Sequence, residues 1–361
     1  MNKSLLETFR NQTVLVTGHT GFKGSWLAIW LKELGAEVIG YALDPYTEQD
    51  NFVRCGLTDK INDHRADVRD RDRLQAVFEE HRPAIVFHLA AQSIVRTGYQ
   101  VPKQTFDVNV GGTVNLLECC RNTESVRTII NITSDKCYQN REQEAGYREE
   151  DRMGGADPYS ASKGCSELVT ASYRHSFFPP GRYSEHGKSL SSVRAGNVIG
   201  GGDWARDRLI PDCIRALSAG QDIVVRNPDS TRPWQFVLEP LYGYLLLASR
   251  MMEDPARYAG AWNFGPEPDA VIPVHTVVEE VIRNWGSGSW QVEPEDQPPH
   301  EARLLALDIH KARTRLGWRP RFHAPKAIAE TVRWYRQNLS GKDMYPFCVQ
   351  QIREFLQSPK D

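Results

Sequence analysis

The chain has 361 residues, with 44 basic against 46 acidic side chains and a formal charge of −2. At 40% hydrophobic and 25% charged it has the make-up of a soluble globular protein, with room for one large or two medium domains. The balanced charge speaks against a nucleic-acid-binding surface, and no apolar run approaches the ~20 residues that cross a bilayer.

The first predicted element is a strand, Thr13-Val-Leu-Val-Thr17, short and β-branched. Gly18-His19-Thr20-Gly21-Phe22-Lys23-Gly24 follows it, and a helical pattern runs from about Lys23 to Leu34, closed by Gly35. A glycine loop between strand and helix is the setting of a dinucleotide fingerprint. Its glycines permit a tight turn and close approach of a pyrophosphate, and the helix N-terminus favours negative charge. The spacing is G-x-x-G-x-x-G, and a plain glycine turn would leave the same trace. The next strand, Glu37 to Leu43, ends at Asp44, where an acid that binds the ribose of NAD rather than NADP belongs. A turn aspartate before Pro45 is the other reading.

Asp67-Val68 is placed to meet an adenine or to form a surface turn. A helix over 72–81 leads to a strand over 84–89. His88-Leu89-Ala90-Ala91-Gln-Ser93 then offers small residues that let backbone lie against a cofactor, or simply pack tightly. A helix over 106–121 and strands over 127–133 and 190–194 continue the rhythm. Continuous apolar strands spaced by helices predict an α/β protein, a Rossmann-type doubly wound parallel sheet covered on both faces.

After Gly196 the rhythm weakens. Gly200-Gly-Gly-Asp-Trp, Asn227-Pro-Asp-Ser and the stretch 293–299 read as loops. The expected organisation is a dinucleotide-binding domain over 1–196 with a return segment at about 236–264. A smaller, irregular substrate domain is expected over 197–235 and 265–361. The seven cysteines lack ligand spacing, which points to reduced thiols, a cytoplasmic setting and no metal site. The start has no signal-peptide core, so none is expected.

The chemistry gathers between Ser134 and Lys163. If Tyr159 opens a helix, Tyr159 and Lys163 share one face. A cation beside the phenol stabilises phenolate and lowers a pKa that is ordinarily ~10, so the tyrosine can take a proton from an alcohol. Ser134-Asp135-Lys136 closes the preceding strand. Alone it could cap a turn.

Gly18-x-x-Gly21-x-x-Gly24, Asp67, His88-Leu-Ala-Ala, Asn109-Val-x-Gly-Thr, Thr133-Ser-Asp135, Tyr159-x-x-x-Lys163 and Arg194-x-x-Asn197-Val occur in this order. As an ordered set they resemble the extended short-chain dehydrogenase/reductase superfamily, with its nucleotide-sugar epimerases and dehydratases. Ser134-Asp135-Lys136, Gly154-Gly-x-Asp157-Pro-Tyr, Gly200-Gly-Gly-Asp203-Trp and Thr231-Arg-Pro-Trp-Gln235 are similar to the cytidine-nucleotide branch of the 4,6-dehydratases.

The resemblance implies tightly held NAD and an intramolecular redox reaction on a nucleotide sugar. It makes Tyr159 the base, Lys163 the holder of the nicotinamide ribose, and Ser134 the hydrogen-bond partner of the sugar 4-oxygen. Asp135 and Lys136 become the proton carriers for elimination. Which of the two carries which proton stays open, because a lysine base must be neutral and an adjacent carboxylate opposes that. Leu89, Ala90, Ala91 and Asn109 join the cofactor contacts. Ser93, Asn197, Arg208, Arg232 and Arg303 are the candidate substrate contacts, the arginines because guanidinium suits phosphate. A dimer through the helices at 106–121 and 159–175 is implied, or a tetramer built from it. His19 stands where relatives carry a small residue, and its bulk is expected to loosen the phosphate contacts and weaken NAD retention. A 4-epimerase, a 4,6-dehydratase using another nucleotide, a reductase that releases NADH and a non-catalytic cofactor sensor are the alternatives. An epimerase has no use for Asp135-Lys136, and a sensor has no use for Tyr159 and Lys163.

Overall fold

The computed structural model describes residues 3–143, 145–267, 271–293 and 305–358. Arg303 and most of the expected 293–299 loop lie outside the described residues.

Seven strands form one parallel sheet. In chain order the elements that build it and cover it are β1 (Thr13–Thr17), α1 (Phe22–Glu33), β2 (Glu37–Ala42), β3 (Asn62–Arg65), α2 (Arg71–His81), β4 (Ile85–His88), α3 (Gly112–Asn122), β5 (Thr128–Ile132), α4 (Pro158–Ser176), β6 (Ser189–Arg194), α5 (Leu238–Glu253) and β7 (Gly260–Asn263). The spatial order is β7-β6-β5-β4-β1-β2-β3. Chain order reverses between β1 and β4, where an open α/β sheet leaves a crevice beyond its C-terminal strand ends.

The alternation of strand side chains divides the core. Val14 and Val16 face one side with Trp26 and Trp30 of α1 and Leu241 and Leu245 of α5. Leu15 faces the other, with Leu74 and Phe78 of α2 and Leu116 of α3. Helix α1 has no polar face, and its residues from Gly24 to Leu31 are all buried. That places it between the sheet and the C-terminal helix over 344–357, with Trp30 edge-on to Phe355, rather than at a surface.

Two strands carry little apolar pattern. β3, Asn-Asp-His-Arg, sits at the sheet edge, where only one neighbour needs satisfying. β7 pairs in register with β6, Gly260 opposite Ser191 through Asn263 opposite Arg194. The helix expected over 106–121 contains a π turn at Asp107–Gly111 before α3. Such turns often mark functional positions, and this one carries Asn109. Beyond residue 197 the chain makes short strand pairs, 198–199 with 235–236, 223–225 with 290–292, and 231–233 with 271–273.

Candidate active site

The glycine loop lies directly over the β4 terminus. Gly18 has φ +74, and a Cβ there would stand 2.7 Å from the Ala90 amide nitrogen. A Cβ on Gly24 would come within 2.1 Å of the Gly18 carbonyl oxygen. These two glycines are demanded by the fold itself. Gly21 is different: it is exposed, and a Cβ there would meet nothing closer than 3.4 Å. Helix α1 starts at this point with no side-chain cap on its first amides. An uncapped helix N-terminus beside an open glycine is a cradle that suits a diphosphate. Leu89, Ala90 and Ala91, all half-buried, form its far wall.

His19 is not on the open side of this loop. Its ring is fully buried beneath it, with Nε2 2.7 Å from the Asp63 carboxylate and the Phe52 ring edge-on at 5.3 Å. Gly40 makes the room, since a Cβ there would stand 2.5 Å from the imidazole. The bulk expected to crowd the phosphates is therefore housed under the loop. Burial lowers the His19 pKa, while hydrogen bonds from His19 and Arg65 overcome burial and hold Asp63 well below the usual carboxylate range. Thr20 donates from Oγ1 to the Leu43 carbonyl at 3.0 Å.

The acids expected at the nucleoside are already paired within the chain. Asp44 is 87% exposed and meets Arg65 at 3.2 Å. Asp67 accepts from Arg69 at 2.6 Å. Val68 is buried against α3, with a Gly112 Cβ position only 2.6 Å from its Cγ1. Asn109 is also occupied: its Oδ1 accepts from the Gln92 amide at 2.8 Å, and its Nδ2 donates to the Gln92 carbonyl and the Ser162 hydroxyl. Its side chain shapes the 89–93 wall rather than pointing out of it.

Helix α4 begins where the sequence predicts. Asp157 caps it by accepting from the Ser160 amide at 2.9 Å, and Pro158 occupies its first position. Tyr159 and Lys163 follow on one buried face. Ser134 Oγ donates to Asp135 Oδ1 at 2.9 Å and lies in hydrogen-bonding reach of the Tyr159 phenol. Asp135 is buried, its carboxylate resting on Gly196: a Cβ there would be 1.8 Å from Oδ2. Lys136 is half-buried on the same short turn.

Charge converges on this point. Tyr159 feels Asp135 and Arg208, while Lys23 of the glycine loop feels Lys163, Arg208 and Asp135. Burial pushes Tyr159 up to about 12, opposed by Ser134 and Arg208 and aided by Asp135. In the protein alone, then, burial outweighs the expected lowering, and Arg208 is a cation that favours phenolate. Burial lowers Lys163 to about 8 and Lys23 to about 7.

Arg208 is placed by Asp203 at 2.7 Å and Ser93 at 3.1 Å. Tyr335, from the C-terminal helix over 324–339, holds Asp203 in turn by donating to its carbonyl at 2.5 Å. Asn197 has the left-handed φ of +49, a strained state for a non-glycine residue. The Gln235 amide donates to its carbonyl at 3.2 Å, which sets Asn197 beside Trp234. Arg232 is half-buried on the strand pair over 231–233 and 271–273 and donates to the Thr231 carbonyl at 2.9 Å.

Three residues have roles that the sequence reading did not assign. Glu167, one turn beyond Lys163, is a buried carboxylate that takes Thr133 Oγ1 at 2.5 Å and Ser192 Oγ at 2.6 Å. Arg194, expected as part of a motif, is its ion-pair partner. Gly196 seats Asp135. Only the spacing of four from Lys163 to Glu167 could have signalled the first.

Comparison with known proteins agrees with this geometry. The family model described as GDP-mannose 4,6 dehydratase matches residues 15–331. The chain is 47% identical over 349 residues to a CDP-glucose 4,6-dehydratase of Salmonella typhimurium, covering 96% of this chain and 97% of that protein. The dTDP-glucose 4,6-dehydratase of Streptomyces venezuelae, solved with NAD bound, superposes with a TM-score of 0.77 at 23% identity, over 92% of this chain and 99% of that one. A UDP-glucose 4-epimerase of Thermotoga maritima, solved with UDP-glucose, gives a TM-score of 0.77 at 22% identity, over 91% and 99%. Likeness at this identity speaks for the fold.

Proposed function

Since the chain belongs to the GDP-mannose 4,6 dehydratase family, we propose that it is a hydro-lyase converting CDP-D-glucose to CDP-4-keto-6-deoxy-D-glucose. The observation that carries this reading is the buried Asp135 carboxylate held between the Ser134 hydroxyl and Gly196, next to Tyr159. An epimerase needs no acid there. The choice of cytidine nucleotide is supported by the Salmonella relative.

The glycine cradle would hold NAD, which would accept hydride from C4 and give it back at C6, leaving the reaction redox-neutral overall. The residues suited to hold it are the loop amides from Gly21 onward, the 89–91 wall and Lys163. Asp44 and Asp67 would have to exchange an arginine partner for a ribose hydroxyl or an adenine edge. Tyr159 takes the proton of the sugar 4-hydroxyl, and Ser134 keeps its hydrogen bond to that oxygen. The resulting ketone acidifies the C5 proton. Asp135 and Lys136 then move one proton away from C5 and one onto the departing C6 hydroxyl. Water leaves, and the same pair restores the C5 proton.

Residues 1–196 with the 236–264 return are read as the dinucleotide-binding lobe, and 197–235 with 265–361 as the nucleotide-sugar lobe. Asn197, Arg208 and Arg232 serve the diphosphate, with Ser93 beside them. A homodimer fits the exposed Phe106 and Leu168 on the helices expected to pair. The proposed setting is the cytoplasm, on a route to deoxysugars of a bacterial surface polysaccharide such as O-antigen.

Incubation with CDP-glucose and NAD, followed by the alkaline absorbance of the 4-keto product, tests the reading, with UDP- and dTDP-glucose as controls. Product from CDP-glucose in preference to the others is expected. No product from any nucleotide would sink the dehydratase assignment.

A further inference from the structure

His64 of β3 and Glu80 and His81 at the end of α2 meet away from the catalytic groups. The two Nε2 atoms are 2.8 Å apart, with the rings edge-on at a centroid distance of 4.9 Å. Glu80 Oε1 lies 3.6 Å from His81 Nε2, and the three ligand atoms all fall within 4.8 Å of one another. We propose that His64, His81 and Glu80 form a binding site for one divalent late first-row cation, with Zn²⁺ the best fit.

Two imidazoles and a carboxylate are a natural zinc donor set, with water as the fourth ligand. Nitrogens held at ~2.0–2.1 Å on a tetrahedral ion stand about 3.3 Å apart, so the rings need to separate by roughly half an ångström. The 3.6 Å carboxylate separation needs hardly any change. His81 is 14% exposed and Glu80 65%, which leaves an entry path and room for water. His64 is half-buried, with the His81 ring beside it.

The site has a structural purpose. β3 is a four-residue polar edge strand hydrogen-bonded to β2 alone. Side chains alternate along it, so Asp63 reaches His19 under the glycine loop while its neighbour His64 faces α2. A metal at His64 would clip to α2 the strand that steadies that loop.

The test uses the full chain stripped with EDTA and titrated with Zn²⁺ against a chromophoric chelator, then with Co²⁺ for its spectrum. One ion per chain is expected, together with a rise in melting temperature and a Co²⁺ spectrum free of thiolate charge-transfer bands. His64→Ala and His81→Gln should each weaken binding at least tenfold and abolish the melting shift. His81→Gln keeps a hydrogen-bonding group at the position, so its far-ultraviolet dichroism checks that the fold survives. Binding that both variants retain, thiolate bands in the Co²⁺ spectrum, or no saturable uptake would each overturn the proposal.

Discussion

Arg194 grips Glu167 with two nitrogens, Nε to Oε1 at 3.0 Å and Nη2 to Oε2 at 2.8 Å, with both side chains about 4% exposed. The same guanidinium reaches the Tyr138 hydroxyl at 2.5 Å, and Glu167 takes the hydroxyl of Thr133. Residues 133 and 138 bracket Ser134-Asp135-Lys136, and Glu167 lies one turn from Lys163. One buried ion pair thus ties the strand end that carries the acids to the helix that carries the tyrosine.

Removing either partner leaves an uncompensated buried charge. Glu167→Ala is expected to lower unfolding free energy by roughly 3–5 kcal/mol in denaturant titrations. Burial alone would raise the Glu167 pKa, but Arg194 and the two hydroxyls win and bring it below its usual value. A depressed carboxylate contributes stability above its unfolded pKa of ~4.3 and loses it as pH falls through the lower folded value. Acid melts of the wild type should therefore show this contribution surviving below pH ~4, and Glu167→Gln should not.

Gly196→Ala places a methyl where the Asp135 carboxylate now rests. Displacing a catalytic group by about an ångström costs on the order of 10²-fold in rate. A loss of that size in 4-keto product is expected, with NAD affinity unchanged by fluorescence titration. An active Gly196→Ala enzyme would show that Asp135 does not need this seat.

Tyr159 is pushed up to about 12, so it is protonated at neutral pH and its phenolate fraction grows with alkalinity. Single-turnover C4 oxidation should rise with pH. Ser134→Ala and Arg208→Gln each remove a group that favours phenolate and should move the rising limb to higher pH. Asp135→Asn should move it lower, since that carboxylate opposes ionisation. Coincident limbs in all three variants would mean that another group titrates.

Lys136→Met is expected to slow solvent exchange at C5 by roughly 10²–10⁴-fold, the usual range for one positioned proton carrier, while C4 oxidation persists. Exchange at full rate would transfer the C5 role to Asp135 or water.

For the proposed dimer, Leu168→Arg puts a charge on the exposed face of α4, where the native leucine is 61% exposed. Sedimentation should show a monomer. An unchanged dimer would move the interface elsewhere.

The sheet and the glycine loop were legible because continuous apolar strands and a strand–glycine–helix junction have few other meanings. β3 was not, since Asn-Asp-His-Arg at an edge needs no apolar face. Tyr159, Lys163 and the Ser134-Asp135-Lys136 turn stand out in order and spacing, and in the structure Tyr159 and Lys163 share a buried helix face with Ser134 and Asp135 near the phenol. What spacing cannot express is competition for partners. Asp44, Asp67 and Asn109 look free in sequence, yet the fold gives each a neighbour. Likewise Arg208, distant in sequence, is a cation that favours the phenolate, a neighbour that spacing could not reveal.

Tyr335 secures Asp203, and Asp203 secures Arg208 beside the phenol. The site thus depends on a helix made after all of its catalytic side chains. A nascent chain that already holds every catalytic side chain is still missing the clasp on Arg208 until residue 335 has left the ribosome. Activity should therefore appear later than the parallel sheet, and a truncation ahead of that helix should cost it before the sheet is lost.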